Sequence, residues 1–590
     1  MQKKFLDLIR NHEVRLNKDN MLFNVIGYAK LMLILLIGFT IYFAYRNDFP
    51  LELIFLSLAA FIILAGLWVC HNKLNDRINY LKGIISIYNQ QIDRITGNWI
   101  NFEDIGAEFI DIDHAYACDL DVVGKKSLFQ FLNTAHTWHG RQAFANDLLR
   151  SVYGRTELQK RQEAVAELSE DIEFSSKIQY YLSKVKGDSS SRLADYLKDK
   201  TVFIRSEALR SLLFYMPMLT LLLIVGIFVI QQQHLFFIVV LIATVQAIAW
   251  VLGVPRTHKY FGAMSHLPHK LKAYNEVIGI IIGKDVSSEK LKQIQEKLNE
   301  AAQAIKDLSK IEDRMSVKHN AIIYFIVNIF LLWDYECAFL LQEWRQKYAH
   351  LSEQWFMAIG EFESLLCLSH LPNVCDNTCL PTLNEKGNVM EARELGHPLL
   401  LNENRVNNGF SFNNNIFIIS GSNMSGKTTF LRTVGINIVL ARSGGFVCAE
   451  EMFLSPFDVV SSMRIADDLN EGVSTFYSEL KRIKMIIDLA KKQPNMIFLI
   501  DEIFRGTNSA DRLAGAKTVI EKLSGLGSVG LISTHDLELC ELANAYGRIK
   551  NYSFSEHYKD NRICFDYKMK QGKSNSSNAK YLMGMIGILD

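Results

Sequence analysis

Nine consecutive residues hold the densest chemistry in the chain: Gly421, Ser422, Asn423, Met424, Ser425, Gly426, Lys427, Thr428 and Thr429. Glycines at both ends of a short polar loop let successive backbone N–H groups converge, which makes a nest for an anion. Lys427 can reach the β- and γ-phosphates of a nucleotide, and the Thr428 hydroxyl can ligate Mg²⁺. About 75 residues further on stands the acid pair Asp501-Glu502. Asp501 can hold Mg²⁺ through the metal's water shell, and Glu502 can polarise an attacking water. His535, following Ser533 and Thr534, is placed to sense a γ-phosphate. Alone, the acid pair also reads as a helix N-cap and the histidine as a polar surface residue. With the loop, they point to ATP and Mg²⁺ as cofactors and to ATP hydrolysis.

Such side chains need a frame, and the flanking sequence supplies one. Asn415–Ser420 is a short apolar run rich in β-branched residues, as a buried parallel strand requires. It leads into the glycine-rich loop and then a helical stretch from Phe430 to Ala441, whose N-terminus adds partial positive charge at the loop. Met496–Ile500 and Val529–Ile532 are two further buried-strand runs, each ending at the residues named above.

Gly421-Ser-Asn-Met-Ser-Gly-Lys-Thr-Thr-Phe-Leu-Arg432 resembles the extended Walker A motif of the MutS family of DNA mismatch repair proteins. Phe446-Val-Cys-Ala449, Arg464-Ile-Ala-Asp-Asp468-Leu and Ser474-Thr-Phe-Tyr-Ser-Glu479 resemble the segments that follow it. Asp501-Glu-Ile-Phe-Arg-Gly-Thr507 is similar to the family's Walker B and next loop, and Gly396-His-Pro398-Leu to the motif that opens the domain. Asn133–Arg141 and Arg161–Leu168 resemble, more weakly, the start of the family's helical core, so the resemblance spans residues 116–590. It implies an α/β P-loop (ABC-type) ATPase domain at the C-terminus, preceded by an all-α MutS-like core and lever domain. It also implies DNA as a partner, and a homodimer in which Ser474 of one subunit completes the ATP site of the other. A serine opening a helix over Ser474–Lys484 can present its hydroxyl and N–H groups to a γ-phosphate, although Ser474 alone also fits a simple N-cap. Ser422 and Cys448 stand where the pattern has proline, and Phe504 where it has glycine. The mismatch-reading domain has no counterpart, because the first 115 residues are mostly apolar spans.

Four such spans stand out: Val25–Tyr45, Leu51–Cys70, Leu212–Ile230 and Leu235–Val254. Each has about the 20 residues that cross roughly 30 Å of hydrocarbon at 1.5 Å per residue. Short connections make them two antiparallel hairpins. Lys3, Lys4, Arg10, Arg15, Lys18, Lys73 and Arg77 flank the first pair, and Arg205, Arg210, Arg256 and Lys259 the second, while the loops inside the hairpins carry only Arg46. The positive-inside rule then places both tips outside an inner (cytoplasmic) membrane, with the N-terminus, core and ATPase domain in the cytoplasm. A fifth apolar run, Ala321–Trp333, is short and predicts a core helix.

The 49% hydrophobic content agrees with apolar residues outside a water-facing fold, and the net charge of +1 shows no global basic field for nucleic acid. The nine scattered cysteines contain no zinc-ligand pattern and predict unpaired thiols. Residues 284–316 predict a long amphipathic helix or helix pair, with Leu291, Ile294, Leu298, Ile305, Leu308 and Ile311 on one face. The chain divides into a cytoplasmic N-terminal segment (1–20), a first transmembrane hairpin (21–72), a helical linker (73–115), the first part of the core (116–210), a second hairpin (211–255), the rest of the core and lever (256–375), and the ATPase domain (376–590). These readings combine in a membrane-anchored, dimeric ATP switch acting on DNA. The rival is an ATPase coupled to a protein partner in the membrane, or to membrane remodelling, without DNA.

Overall fold

The computed structural model describes the chain except residues 48–49, 151–152, 186–201, 205, 231, 263–267, 385–386, 465–474, 494, 505–508, 560–561 and 575–590. It is mostly helical, with an α/β region at the C-terminal end.

Helices α1 (Gln2–Arg46) and α2 (Leu51–Thr96) pack side by side. At 45 and 46 residues each is far longer than an apolar span needs, and each continues unbroken into a polar stretch. Their apolar stretches are exposed, whereas Phe5, Ile9, Ile84, Ile87 and Tyr88 close a small core with Tyr180. Lys30, the one cation inside the first span, donates to His71 and lies 5.5 Å over the Trp68 ring. The body follows with α3 (Leu128–Leu132), α4 (Trp138–Arg150), α5 (Arg155–Glu170) and α6 (Ile172–Ser183). A second pair, α7 (Glu207–Ile230) and α8 (Gln233–Phe261), is again apolar and exposed, and Gln246 of α8 donates to the Thr220 hydroxyl of α7 at 3.0 Å. Among the described residues, four helices, α1, α2, α7 and α8, are each long and apolar enough to cross a membrane.

Next come α9 (Pro268–Ile282), α10 (Glu289–Met315), α11 (Ala321–Leu331), α12 (Trp333–Tyr348) and α13 (Ser352–Ser369). The amphipathic stretch is one helix, α10, with its Leu291–Ile311 stripe buried in the main core. The Ala321–Trp333 run is not the core helix its length predicts. Helix α11 leaves Ile322, Ile323, Phe325 and Ile326 exposed and buries Asn328, while lying against α7 and α8. Shortness does separate this run from a full span, but burial depends on which neighbours cover each face, and those come from distant sequence.

The C-terminal region has two sheets. The smaller contains β1 (Thr382–Leu383), β2 (Val389–Leu395), β3 (Asn408–Asn413) and β5 (Glu451–Leu454), in the order β1-β5-β2-β3. The larger contains β4 (Ile416–Ser420), β6 (Asp458–Ser462), β7 (Met496–Asp501), β8 (Val529–Thr534), β9 (Ile549–Lys559) and β10 (Arg562–Gln571), in the order β10-β9-β4-β8-β7-β6. All its pairings are parallel except β9 with β10. Helices α14 (Lys427–Arg442), α15 (Thr475–Ala490) and α16 (Ser509–Gly525) cover it. Strands β4, β7 and β8 are buried on both faces, the continuous apolar reading of a central parallel sheet. The outer edge at β6 is blunted by residues 113–121: Ser461 N–H donates to the Ala115 carbonyl at 2.9 Å, and Asp119 accepts from Ser461 Oγ at 2.7 Å and Arg464 N–H at 2.8 Å.

The helical body and the sheet region share one hydrophobic core. Arg161, fully buried in α5, pairs with Asp147 and donates to the Ser443 carbonyl at the end of α14 at 3.0 Å. A buried ion pair of this kind is kept only where hydrogen bonds satisfy both partners, and Ser364 also donates to Asp147.

Candidate active site

Strands β4, β7 and β8 lie side by side, so the residues after their C-terminal ends converge, which is where open α/β sheets place ligands. The loop from β4 to α14 needs its two glycines. Gly421 has φ 154°, and a Cβ there would come 2.7 Å from the Phe554 carbonyl oxygen. Gly426 has φ 105°, a left-handed conformation that L side chains rarely adopt. Met424 adopts φ 67° at the exposed crest between them. The Ser425 hydroxyl is buried and has no hydrogen-bond partner among the described residues. Lys427 is buried and folds back over the loop, donating to the carbonyls of Gly421 and Ser422 at 2.8 Å each. Ser422 donates to Glu556 at 2.8 Å, so this non-proline position is anchored to β9.

The acid side of the site gathers residues from β7, β8 and the start of α14. Thr428 Oγ1 donates to Asp501 Oδ2 at 2.9 Å, which brings the two expected Mg²⁺ ligands together across 73 residues. Ser533 donates to the other Asp501 oxygen, so the carboxylate is fully engaged. Glu502 N–H donates to the Ser533 carbonyl at 3.1 Å, and the Glu502 carboxylate contacts His535 Nε2. Glu502 holds φ 55° and Phe504 φ 64°. Non-glycine residues in this region cost of order 1–3 kcal/mol each and concentrate at functional sites. The departure at Phe504 from the expected glycine is therefore real strain, and local contacts hold it. Phe504 N–H donates to Glu479, and its ring meets the Phe476 ring edge-on at 5.7 Å. Ser474 lies outside the described residues.

A cleft of about 640 Å³ opens beside the loop, lined by His397, Met424, Lys427, Thr428, Glu502 and Tyr567 among others. Sequence reasoning took His397 only as part of a motif and missed Tyr567 altogether. Burial, reinforced by Arg432 and Arg405, lowers the His397 pKa to about 3, so its ring is neutral at physiological pH. Tyr567 packs over Gly426 from β10, 141 residues downstream, and no local pattern marks it. All nine cysteines are unpaired thiols, as their scatter predicts, and no cluster of three or more metal-ligating side chains occurs among the described residues.

Comparison with known proteins bears on this region. Residues 417–588 match the family model for MutS domain V. The C-terminal region is MutS-like. Over 177 residues it is 33% identical to the DNA mismatch repair protein MutS of Thermosipho melanesiensis, which covers 30% of this chain and 21% of that protein. Over 181 residues it is 32% identical to MutS of Streptococcus uberis, with the same coverage. The DNA mismatch repair protein MutS 2 of Haloarcula marismortui is 35% identical over 175 residues, 29% of this chain and 18% of that protein. The chain thus spans about a fifth of the length of these relatives. The matches show that this region resembles MutS domain V, and the loop Gly421–Thr429, Asp501, Glu502 and His535 lie inside the matched range, whereas His397 lies before it.

Proposed function

We propose that this chain is a membrane-anchored, MutS-like ATPase that binds and hydrolyses ATP as a dimeric conformational switch acting on DNA. The observation that carries the reading is the meeting of Thr428, Asp501, Glu502 and His535 beside a loop that turns on glycines at 421 and 426. Bound Mg²⁺ supplies charge neutralisation at the β- and γ-phosphate oxygens. Thr428 and Asp501 are the residues that would hold it. Lys427 exchanges its two loop carbonyls for phosphate oxygens. Glu502 orients and polarises the attacking water, and His535 holds the Glu502 carboxylate. Ser474 of a second subunit completes the site.

The buried Arg161–Ser443 link ties the far end of the loop helix α14 to the helical body, a route by which closure of the nucleotide region moves the lever helices. Anchoring rests on the four exposed apolar helices and on the cations at their flanks, which put the termini and the ATPase region on the cytoplasmic side of an inner membrane. DNA as the load rests on what the relatives' names say of them.

Binding of the detergent-solubilised protein to homoduplex, mismatched and branched DNA, across a salt series and with and without ATP, tests the reading. Binding that weakens with salt and responds to ATP is expected. A second reading, an ATPase serving a membrane protein partner or remodelling the membrane, draws on the continuity of α2 from its apolar stretch into the body. ATPase activity stimulated by lipid, with no binding to any of the three DNAs, decides for it and against DNA.

A further inference from the structure

Helix α11 has its amphipathicity inside out. Ile322, Ile323, Phe325 and Ile326 are exposed by 74%, 49%, 54% and 50%, whereas the polar Asn328 is fully buried. The inward face is a closed polar network. Asn328 Nδ2 donates to the Tyr324 carbonyl at 3.0 Å, and Asn328 Oδ1 accepts from Asp334 N–H at 3.0 Å. Asp334 Oδ2 accepts from the Tyr324 hydroxyl at 2.5 Å and from Trp250 Nε1 of α8 at 3.1 Å. A helix in water keeps its polar face outward. One that satisfies its polar groups internally and shows isoleucine and phenylalanine outward suits hydrocarbon.

Position agrees with pattern. Helix α11 lies against α7 and α8, and α8 likewise exposes Val245, Ile248, Val251 and Leu252. It meets α8 at Trp250, whose indole packs edge-on against Tyr324 and Phe325, near the cation-flanked end of that helix. Tryptophan there is typical of the membrane–water boundary. At 11 residues the helix reaches only about half of a hydrocarbon core. Its two flanks also return to one place: Trp333 Nε1 donates to the Arg314 carbonyl at 2.8 Å, Arg314 pairs with Glu336 at 3.3 Å, and α12 leaves α11 at a 78° bend into the helical body.

We propose that α11 is a lipid-facing helix that enters one leaflet beside the α7–α8 hairpin without crossing, so that acyl chains cover Ile322, Ile323, Phe325 and Ile326. The inference rests on the reading of α7 and α8 as membrane spans. It couples the bilayer, through α11 and α12, to helix α10, whose last turn is strapped to α12 by the Trp333 and Glu336 contacts.

Single cysteines at Phe325, at Leu222 in the middle of α7, and at Lys292 on the exposed face of α10 test it in the full-length protein. The protein is reconstituted into phosphatidylcholine–phosphatidylglycerol vesicles and reacted with a membrane-impermeant maleimide added to both sides. Labelling is read peptide by peptide, so the nine native thiols do not interfere. Lys292→Cys labels freely, while Phe325→Cys and Leu222→Cys label at least about tenfold more slowly and recover in denaturant. Phe325→Cys labelling as fast as Lys292→Cys, with Leu222→Cys protected, overturns the lipid-facing helix and leaves the hairpin standing. Labelling of Leu222→Cys as well overturns the membrane reading itself. Ile326→Cys gives an independent reading should Phe325→Cys disturb the fold. A photoreactive group on either thiol crosslinks to lipid; crosslinking to a second copy of the chain instead overturns the proposal in favour of a dimer contact.

Discussion

Strand β4 and helix α7 have similarly apolar sequences and opposite fates. Ile416, Ile418 and Ile419 of β4 are fully buried, with β8 on one side, β9 on the other and packed side chains on both faces. Leu222 and Phe228 of α7 expose 69% and 78% of their surface. The difference follows from length and flanks. A run of four apolar residues between a turn and a glycine-rich loop can only be useful inside a sheet, whereas two runs of about 20 joined by a few polar residues find no covering surface among the described residues. One region uses apolar surface to bring the strand ends, and the side chains that follow them, to one place. The other leaves it outward, on helices long and apolar enough to cross a membrane.

The sharpest test of the first region is chemical. Glu502→Gln keeps the shape of the strained turn and removes the base, so ATP hydrolysis falls by about 10²–10⁴-fold while nucleotide binding persists, measured by single-turnover hydrolysis and equilibrium binding. Full activity in that variant breaks the assignment of Glu502. Truncation separates the two regions directly. Ile418→Ala leaves a cavity in β4 and costs about 2–5 kcal/mol in denaturant unfolding. Leu222→Ala, on the exposed face of α7, changes the stability of the α/β region and helical body by less than about 0.5 kcal/mol. Equal costs at the two positions erase the contrast.

A third prediction concerns the body that joins the regions. Glu363 in α13 is buried where Gly140 of α4 leaves room for it, and it accepts from the Thr137 hydroxyl and from the His136 and Thr137 N–H groups. Burial, the largest influence, raises its pKa from 4.5 to about 7 against those donors. The folded protein therefore holds a proton between pH 4.5 and about 7 that the unfolded chain has released, and stability is lost as pH rises through that window. Glu363→Gln removes the dependence, gaining on wild type by up to roughly 3 kcal/mol between pH 4.5 and 8 in paired unfolding curves. Parallel curves for the two proteins contradict it. The smallest effect belongs to the hairpin. Thr220→Val removes the acceptor of Gln246 and costs about 0.6 kcal/mol in a double-mutant cycle with Gln246→Leu, the usual size of such a bond between membrane helices.

Much of the site was legible because it is built from contiguous motifs. The loop from Gly421 to Thr429 and the pair Asp501-Glu502 each sit at the end of one strand, and parallel strands bring their ends together automatically. Tyr567 and the neutral His397 ring were not legible as parts of the cleft. They reach it from β10 and from the turn after β2, and nothing in local spacing encodes that arrival. The role of residues 113–121 as cover for the β6 edge is equally silent in sequence, because it depends on Asp119 meeting backbone more than 340 residues away.

By itself, the sequence determined the chemistry-bearing loop, the acids, the α/β character of the C-terminal region, and the four long apolar helices, since each depends on local composition, spacing and length. Only the tertiary structure decided which face of α11 is covered, how Phe504 is held in a left-handed conformation, and how Arg161 joins the helical body to α14. Those outcomes rest on contacts between distant segments, where desolvation and hydrogen-bond satisfaction are set by whatever the fold places opposite.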